Sequence, residues 1–105
     1  MTEGKPMPAA PFTPFKVGQD LGGQFNIERL LGTNEVGSVY LGRKKDDGLL
    51  MVLKVVSIDA IGEEGYKRLR QQVKIYAKLR HKHLARVFGL GREGQAAFVV
   101  MEYLE

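Results

Sequence analysis

Lys54 is the residue whose setting most needs a chemical explanation. It interrupts Leu49 to Val56, a nearly continuous apolar run that reads as a strand buried on both faces. An ammonium in such a run must leave the core or find an anion. Upstream of it lies a glycine loop, Leu31-Gly32-Thr33-Asn34-Glu35-Val36-Gly37-Ser38-Val39-Tyr40. The loop, the lysine and the segments between them define the stretch from Phe25 to Lys54 around which the rest of the chain is arranged.

The elements that must position these groups follow from periodicity and turn residues. Phe25 to Leu31 alternates as a strand, with Phe25, Ile27 and Arg29 on one face and Asn26, Glu28 and Leu30 on the other. Leu31-Gly32 opens a turn that closes at Gly37. Val39 to Leu41 restarts an extended run, which stops at the Asp46-Asp47-Gly48 turn signal. Beyond the lysine strand, Ser57 to Gly65 reads as a connector, because Gly62 and Gly65 weaken any early helical turn. Asp59 is placed to cap a short first turn, and Glu63 and Glu64 suit the positive end of a helix dipole.

From Tyr66 to Arg80 the apolar residues Tyr66, Leu69, Val73, Tyr76 and Leu79 fall at helical spacing, one stripe facing a sheet. Ala85 to Leu90 and Ala96 to Tyr103 read as two further strands joined by a Gly91-Arg92-Glu93-Gly94 turn. At the other end, Val17 to Gly23 is a glycine-bearing lead-in to the first strand. All four prolines lie in Met1 to Lys16, a density that favours an extended, flexible leader over a docking peptide.

Composition sets the outer limits. At 105 residues the chain is one domain, able to remove roughly two-thirds of its unfolded surface from water. Zero cysteines exclude a disulfide framework and thiolate metal sites, and suit a reducing compartment. The first fifteen residues lack the apolar core of a signal peptide. No stretch approaches the ~20 apolar residues of a membrane span. A cytoplasmic location is the expectation.

Gly32, Gly37, Val39 and Lys54 carry a family resemblance. The chain resembles the small, N-terminal lobe of a protein kinase, most of all the bacterial Ser/Thr kinases of eukaryotic type, from about Val17 to Glu105. That family writes an L-G-x-G-x-x-G-x-V-Y loop, a V-A-I-K strand, and a helix whose glutamate pairs with the lysine. Here the lysine strand is Met51-Val52-Leu53-Lys54, and His81-Lys82-His83-Leu84 stands where the family usually ends that helix with His-Pro-Asn-Ile. The resemblance implies an α+β fold, a five-stranded antiparallel sheet with one major helix. It places Met101 at the gatekeeper position and makes Glu102 and Tyr103 the start of the hinge that holds the adenine edge. Gly32, Gly37, Val39, Val52 and Lys54 complete the implied nucleotide-binding set. ATP and magnesium are the cofactors of a working parent.

Four positions depart from the pattern. Asn34 stands at the second loop glycine, as the most tolerable substitute for a left-handed backbone. Glu35 follows it, and its carboxylate would repel a triphosphate by ~1 kcal/mol even when well solvated. Val52 replaces the alanine that packs on adenine, and overpacking costs ~1–3 kcal/mol when it cannot relax. By the family's spacing the helix glutamate falls on Gln72, which brings no charge, and no acidic residue occurs between Glu64 and Glu93. Tyr76 and Val87 occupy positions of the regulatory spine, and without a large lobe both read as core.

The implied catalytic base loop (His-Arg-Asp) and metal-binding Asp-Phe-Gly are not in this chain, so it holds no catalytic residue of the family, and by itself it is not expected to be a kinase. The two histidines are poorly spaced for metal, so no metal site is expected.

The reading this supports is a degenerate, pseudokinase-like small lobe acting as a regulatory or protein-binding module, whose partner is another protein or the missing large lobe. Self-association through the exposed lobe face is a further expectation. Two alternatives stand beside it. One is a nucleotide-binding fragment of an active ATP-dependent Ser/Thr kinase. The other is an anion or nucleic-acid binder using the basic run Lys67, Arg68, Arg70, Lys74, Lys78, Arg80, Lys82 and Arg86. Without aromatic interleaving or a base-reading motif, and with a net charge of only +4, that run reads better as a solvated helix face, and nucleic acid is disfavoured.

Overall fold

A computed structural model describes residues 11–79 and 85–104; the expected end of the helix at His81 to Leu84 lies outside them. The chain forms strands β1 (Asp20–Leu21), β2 (Phe25–Thr33), β3 (Gly37–Lys44) and β4 (Leu50–Ser57), helix α1 (Ile58–Tyr76), and strands β5 (Val87–Glu93) and β6 (Ala96–Glu102). All pair antiparallel in one sheet of order β1-β2-β3-β4-β6-β5. The five strands expected are present, with the two-residue β1 added at the edge. Gly22 and Gly23 make that addition, since both take positive φ (59° and 71°) in the tight turn where Gln24 N donates to Leu21 O. A two-residue turn with both centres left-handed matches the twist of a hairpin, and glycine adopts it without strain.

The alternation expected of β2 holds for Phe25 and Ile27, both buried, and then fails. The register shifts between Ile27 and Arg29 and again between Leu30 and Gly32, leaving Leu30 and Leu31 exposed. Such bulges bend the strand and re-aim its side chains. In β4 the expected burial on both faces is corrected to burial on one. Met51, Leu53, Val55 and Ser57 are buried, whereas Val52 and Val56 are half-buried and Lys54 is exposed.

The core lies on the Leu53 face, where Tyr40, Phe98 and Val100 join Phe25 and Ile27. Phe15 and Leu21 complete the same cluster, and Phe12 packs partly against it. The Phe15 ring sits 5.6 Å from Tyr40 and meets Phe98 edge-on at 6.5 Å. Tyr40 Oη donates to the Phe15 carbonyl (3.1 Å) and accepts from the Phe15 amide (3.2 Å). The leader reading of residues 1–16 therefore does not hold for 11–16. A buried aromatic and satisfied backbone groups fix this proline-bearing segment against the sheet.

Helix α1 begins earlier than expected. Ser57 caps it, its hydroxyl accepting from Ala60 N at 3.2 Å, and Asp59 is a first-turn acid and not the cap. Gly62 breaks it, at φ 76° and ψ 170°, so the glycine expected to weaken an early helical turn lies inside the helix and divides it. The helix packs on β4, β5 and β6. Val73 is buried, and Arg70 and Arg92 lie over the Tyr66 ring at 5.4 and 5.2 Å. Tyr76 and Leu79, expected on the packed stripe, are about half exposed. Tyr66 and Val73 hold the contact with the sheet, and Tyr76 lies to one side of that line, so the expectation that Tyr76 is core is corrected.

The Asp46-Asp47-Gly48 turn forms as expected between β3 and β4. Asp47 Oδ1 accepts from Leu49 N at 3.1 Å and Lys44 Nζ lies 3.4 Å from Oδ2. The Leu49 amide, and after it Lys44, hold the Asp47 carboxyl below its ordinary 3.8. A depressed carboxylate contributes stability above its unfolded pKa and loses it as pH falls through the folded one. A side-chain NMR titration should put the Asp47 midpoint below 3.8, and a midpoint at or above that value would show that the turn contacts do not hold in solution.

Candidate nucleotide site

The β2–β3 hairpin presents the glycine loop at its tip, with Gly32 paired to Val39 and Thr33 to Ser38. Gly37 is buried and faces Val56 of β4. A Cβ on Gly37 would overlap the Val55 carbonyl oxygen, so the third loop glycine is required for close strand approach. Gly32 has open space around its Cα, and its constraint is not steric.

Asn34 closes the tip. Its amide donates to Gly37 O at 2.8 Å, and its side-chain Oδ1 accepts from Val36 N (3.0 Å) and Gly37 N (2.9 Å). No described non-glycine residue has positive φ, so Asn34 does not stand in for a left-handed glycine. It acts through its carboxamide. That role was missed from the sequence, although an asparagine shortly before a glycine in a tight turn is a usual signal for side-chain capping of backbone amides. Glu35 and Val36 are exposed at the tip.

Register assembles the rest. Val39, Lys54, Val99 and Leu90 are successive partners across β3, β4, β6 and β5; Leu41, Val52, Met101 and Val87 form a second such row. Residues in register share a face, so Val39, Val52, Lys54 and Met101 come together on the face opposite the core. Leu41, Leu90 and Val99 join them, which sequence reasoning did not single out. Cross-strand pairing was the missing information.

Lys54 is exposed, and among the described residues no carboxylate lies within ion-pair distance of it. Its ammonium leaves the core, one of the outcomes expected. Gln72 is also exposed, and no hydrogen bond joins the two side chains among the described residues. Glu102 alternates to the other side of β6, where its carboxylate accepts from Arg86 N (3.1 Å) while its own amide donates to Arg86 O (2.8 Å). The Glu102 side chain thus fastens the end of the sheet, leaving only its backbone for a ligand. Tyr103 follows β6 and is half-buried.

The face suits an apolar ring between Val39, Val52 and Met101 with an anion near Lys54. The phosphate end fits less well. The amides of Val36 and Gly37 already have an acceptor, and Glu35 adds a negative charge beside them.

The basic run is partly absorbed by packing. Arg70 stacks on Tyr66 and Arg86 lies 4.8 Å from the Phe88 ring. Among the described residues no helix is long and apolar enough to cross a membrane.

Comparisons with known proteins bear on the fold and family. The chain is 34% identical over 80 residues to Aurora kinase C of Mus musculus, covering 75% of this chain and 29% of that protein. It is 30% identical over 81 residues to an Aurora kinase of Encephalitozoon cuniculi, covering 76% and 30%. It therefore spans less than a third of these relatives' length. The kinase domain of PknI from Mycobacterium tuberculosis superposes with a TM-score of 0.72 at 26% identity, over 87% of this chain and 37% of that one. The protein kinase domain family matches over residues 25–105, from the start of β2 through the glycine loop and Lys54 to beyond β6. The chain belongs to the protein kinase domain family, and its fold is that of the small lobe.

Proposed function

We propose that this chain is the small lobe of a Ser/Thr kinase-like protein, of the bacterial type that PknI represents, in which the nucleotide pocket is degenerate. It acts as a regulatory or protein-binding module. One observation supports the reading: among the described residues no acid lies within ion-pair distance of Lys54, and the helix position that would pair with it by the family's spacing is the uncharged Gln72. Phosphoryl transfer depends on positioning and on charge stabilisation, and it needs that lysine–glutamate pair in place. The partner is the large lobe of a kinase, or a protein seated where that lobe would lie. Exposed Leu30, Leu31, Val36 and Tyr76 supply apolar surface for it, and a second copy of the chain competes for the same surface.

A second reading has one observation in its favour. The rows that align Val39, Val52, Lys54 and Met101 are the arrangement an ATP-binding fragment of an active kinase needs. Isothermal titration of the chain with magnesium ATP separates the two. The degenerate reading expects no saturable binding tighter than about 1 mM, a free energy of about −4.1 kcal/mol. A dissociation constant well below that, lost when Lys54 is changed to methionine, would establish the second reading.

A further inference from the structure

We propose that Asn34 is a built-in phosphate mimic, its carboxamide oxygen filling the amide cradle that a phosphoryl group would otherwise enter. The proposal rests on reading residues 32–37 as a phosphate-facing loop and deepens it by naming what blocks it. Two successive amides, Val36 N and Gly37 N, converge on one oxygen, Asn34 Oδ1, at 3.0 and 2.9 Å. Converging backbone amides are the donor arrangement that binds anions, and a carboxamide oxygen is a neutral occupant of it.

Asn34 is itself held at both backbone groups. Its amide donates to Gly37 O (2.8 Å), and its carbonyl accepts from Phe12 N (3.0 Å). The Ser38 hydroxyl donates to the Phe12 carbonyl, and Thr33 Oγ1 lies 3.3 Å from Gly37 O. Phe12, three residues before buried Phe15, therefore ties the loop through both of its backbone groups while the Asn34 side chain occupies two of the loop's amides. An incoming phosphate must displace the carboxamide before it meets the two amides, and it must do so beside the Glu35 carboxylate. The ligand class is a polyphosphate, and inorganic tripolyphosphate probes it without any contribution from an adenine ring.

The test is amide-resolved NMR of the 105-residue chain and of Asn34→Ala, a substitution compatible with the backbone because Asn34 does not take positive φ. Asn34→Asp is the second variant, keeping the acceptor and adding charge. In Asn34→Ala the Val36 and Gly37 amide protons are expected to exchange about tenfold faster, with the rest of the sheet unchanged. Tripolyphosphate should shift those two amides at roughly tenfold lower concentration than in the parent chain, the weight of one or two net hydrogen bonds. In Asn34→Asp both amides should stay protected and the anion should bind more weakly than to the parent.

Unchanged exchange in Asn34→Ala overturns the proposal, as does equal tripolyphosphate sensitivity in the alanine variant and the parent. Tripolyphosphate moving neither amide in any variant also overturns it, and leaves the degenerate-pocket reading standing. A parent chain that binds ATP tightly, with the alanine variant tighter still, would sustain this inference while removing that reading.

Discussion

Replacing Phe15 with alanine is expected to destabilise the fold by about 3–5 kcal/mol, the range for deleting a buried phenylalanine ring. Phe15 is 6% exposed and bridges Tyr40 and Phe98 above the centre of the sheet, so its removal leaves a cavity with aromatic walls that cannot close by a simple rotamer change. Small domains are stable by roughly 0.05–0.15 kcal/mol per residue, so this one change removes a large fraction of the total. The urea midpoint should fall by a corresponding fraction with little change in slope.

Tyr40→Phe isolates the polar half of the same contact. It strips the partner from both the amide and the carbonyl of Phe15 and should cost about 1–3 kcal/mol. The two substitutions share an environment, so the double variant should cost less than their sum. A loss below about 1 kcal/mol in Phe15→Ala would mean that residues 11–15 do not lie on the sheet in solution, and the clamp on Asn34 would go with them.

Phe15 also shows where the sequence stops being informative. Its neighbours Pro11 and Pro14 argue for an extended segment, yet such a segment can lie on a sheet as readily as in water. What decides between them is whether an aromatic finds a gap, and the gap is made by Tyr40 and Phe98, distant in sequence. The same holds for the strand edges. Lys54 and the glycine loop were legible because they break local patterns, and the Asp47-Gly48 turn because its chemistry is local. The bulges in β2 were not, because they arise from pairing with β3. The start of α1 was misplaced because Gly62 does interrupt the helix, yet a first turn capped by Ser57 forms ahead of it. Tyr76 fell on the apolar period but not on the contact line, a distinction that depends on how the helix is rotated against β5. Asn34 was legible as a departure and illegible as a hydrogen-bond acceptor, since the first is read from residue type and the second from geometry.

Restoring the pocket gives the second large effect. The triple variant Glu35→Gly, Val52→Ala and Gln72→Glu is expected to bind magnesium ATP about a hundredfold more tightly than the parent chain, ~3 kcal/mol in all. The three parts are separable by probe. Glu35→Gly removes a carboxylate from an exposed tip, worth ~1 kcal/mol, so its gain should appear with ATP and not with adenosine, and should shrink as salt rises. Val52→Ala removes two methyl groups that would crowd an adenine ring beside Leu41 and Met101, worth ~1–3 kcal/mol, so its gain should appear equally with adenosine and ATP. Gln72→Glu restores a partner for Lys54, but both positions are exposed, so its share is the smallest, about 0.2–1 kcal/mol.

The measurement is calorimetric titration of each single variant and the triple with both ligands. A triple variant that gains less than about threefold would mean that these side chains do not set the affinity. Because Asn34 still occupies the Val36 and Gly37 amides in the triple variant, adding Asn34→Ala should give a further gain with ATP and none with adenosine. That ordering follows from the geometry: three groups weaken the pocket from outside the amide cradle, and one sits in it.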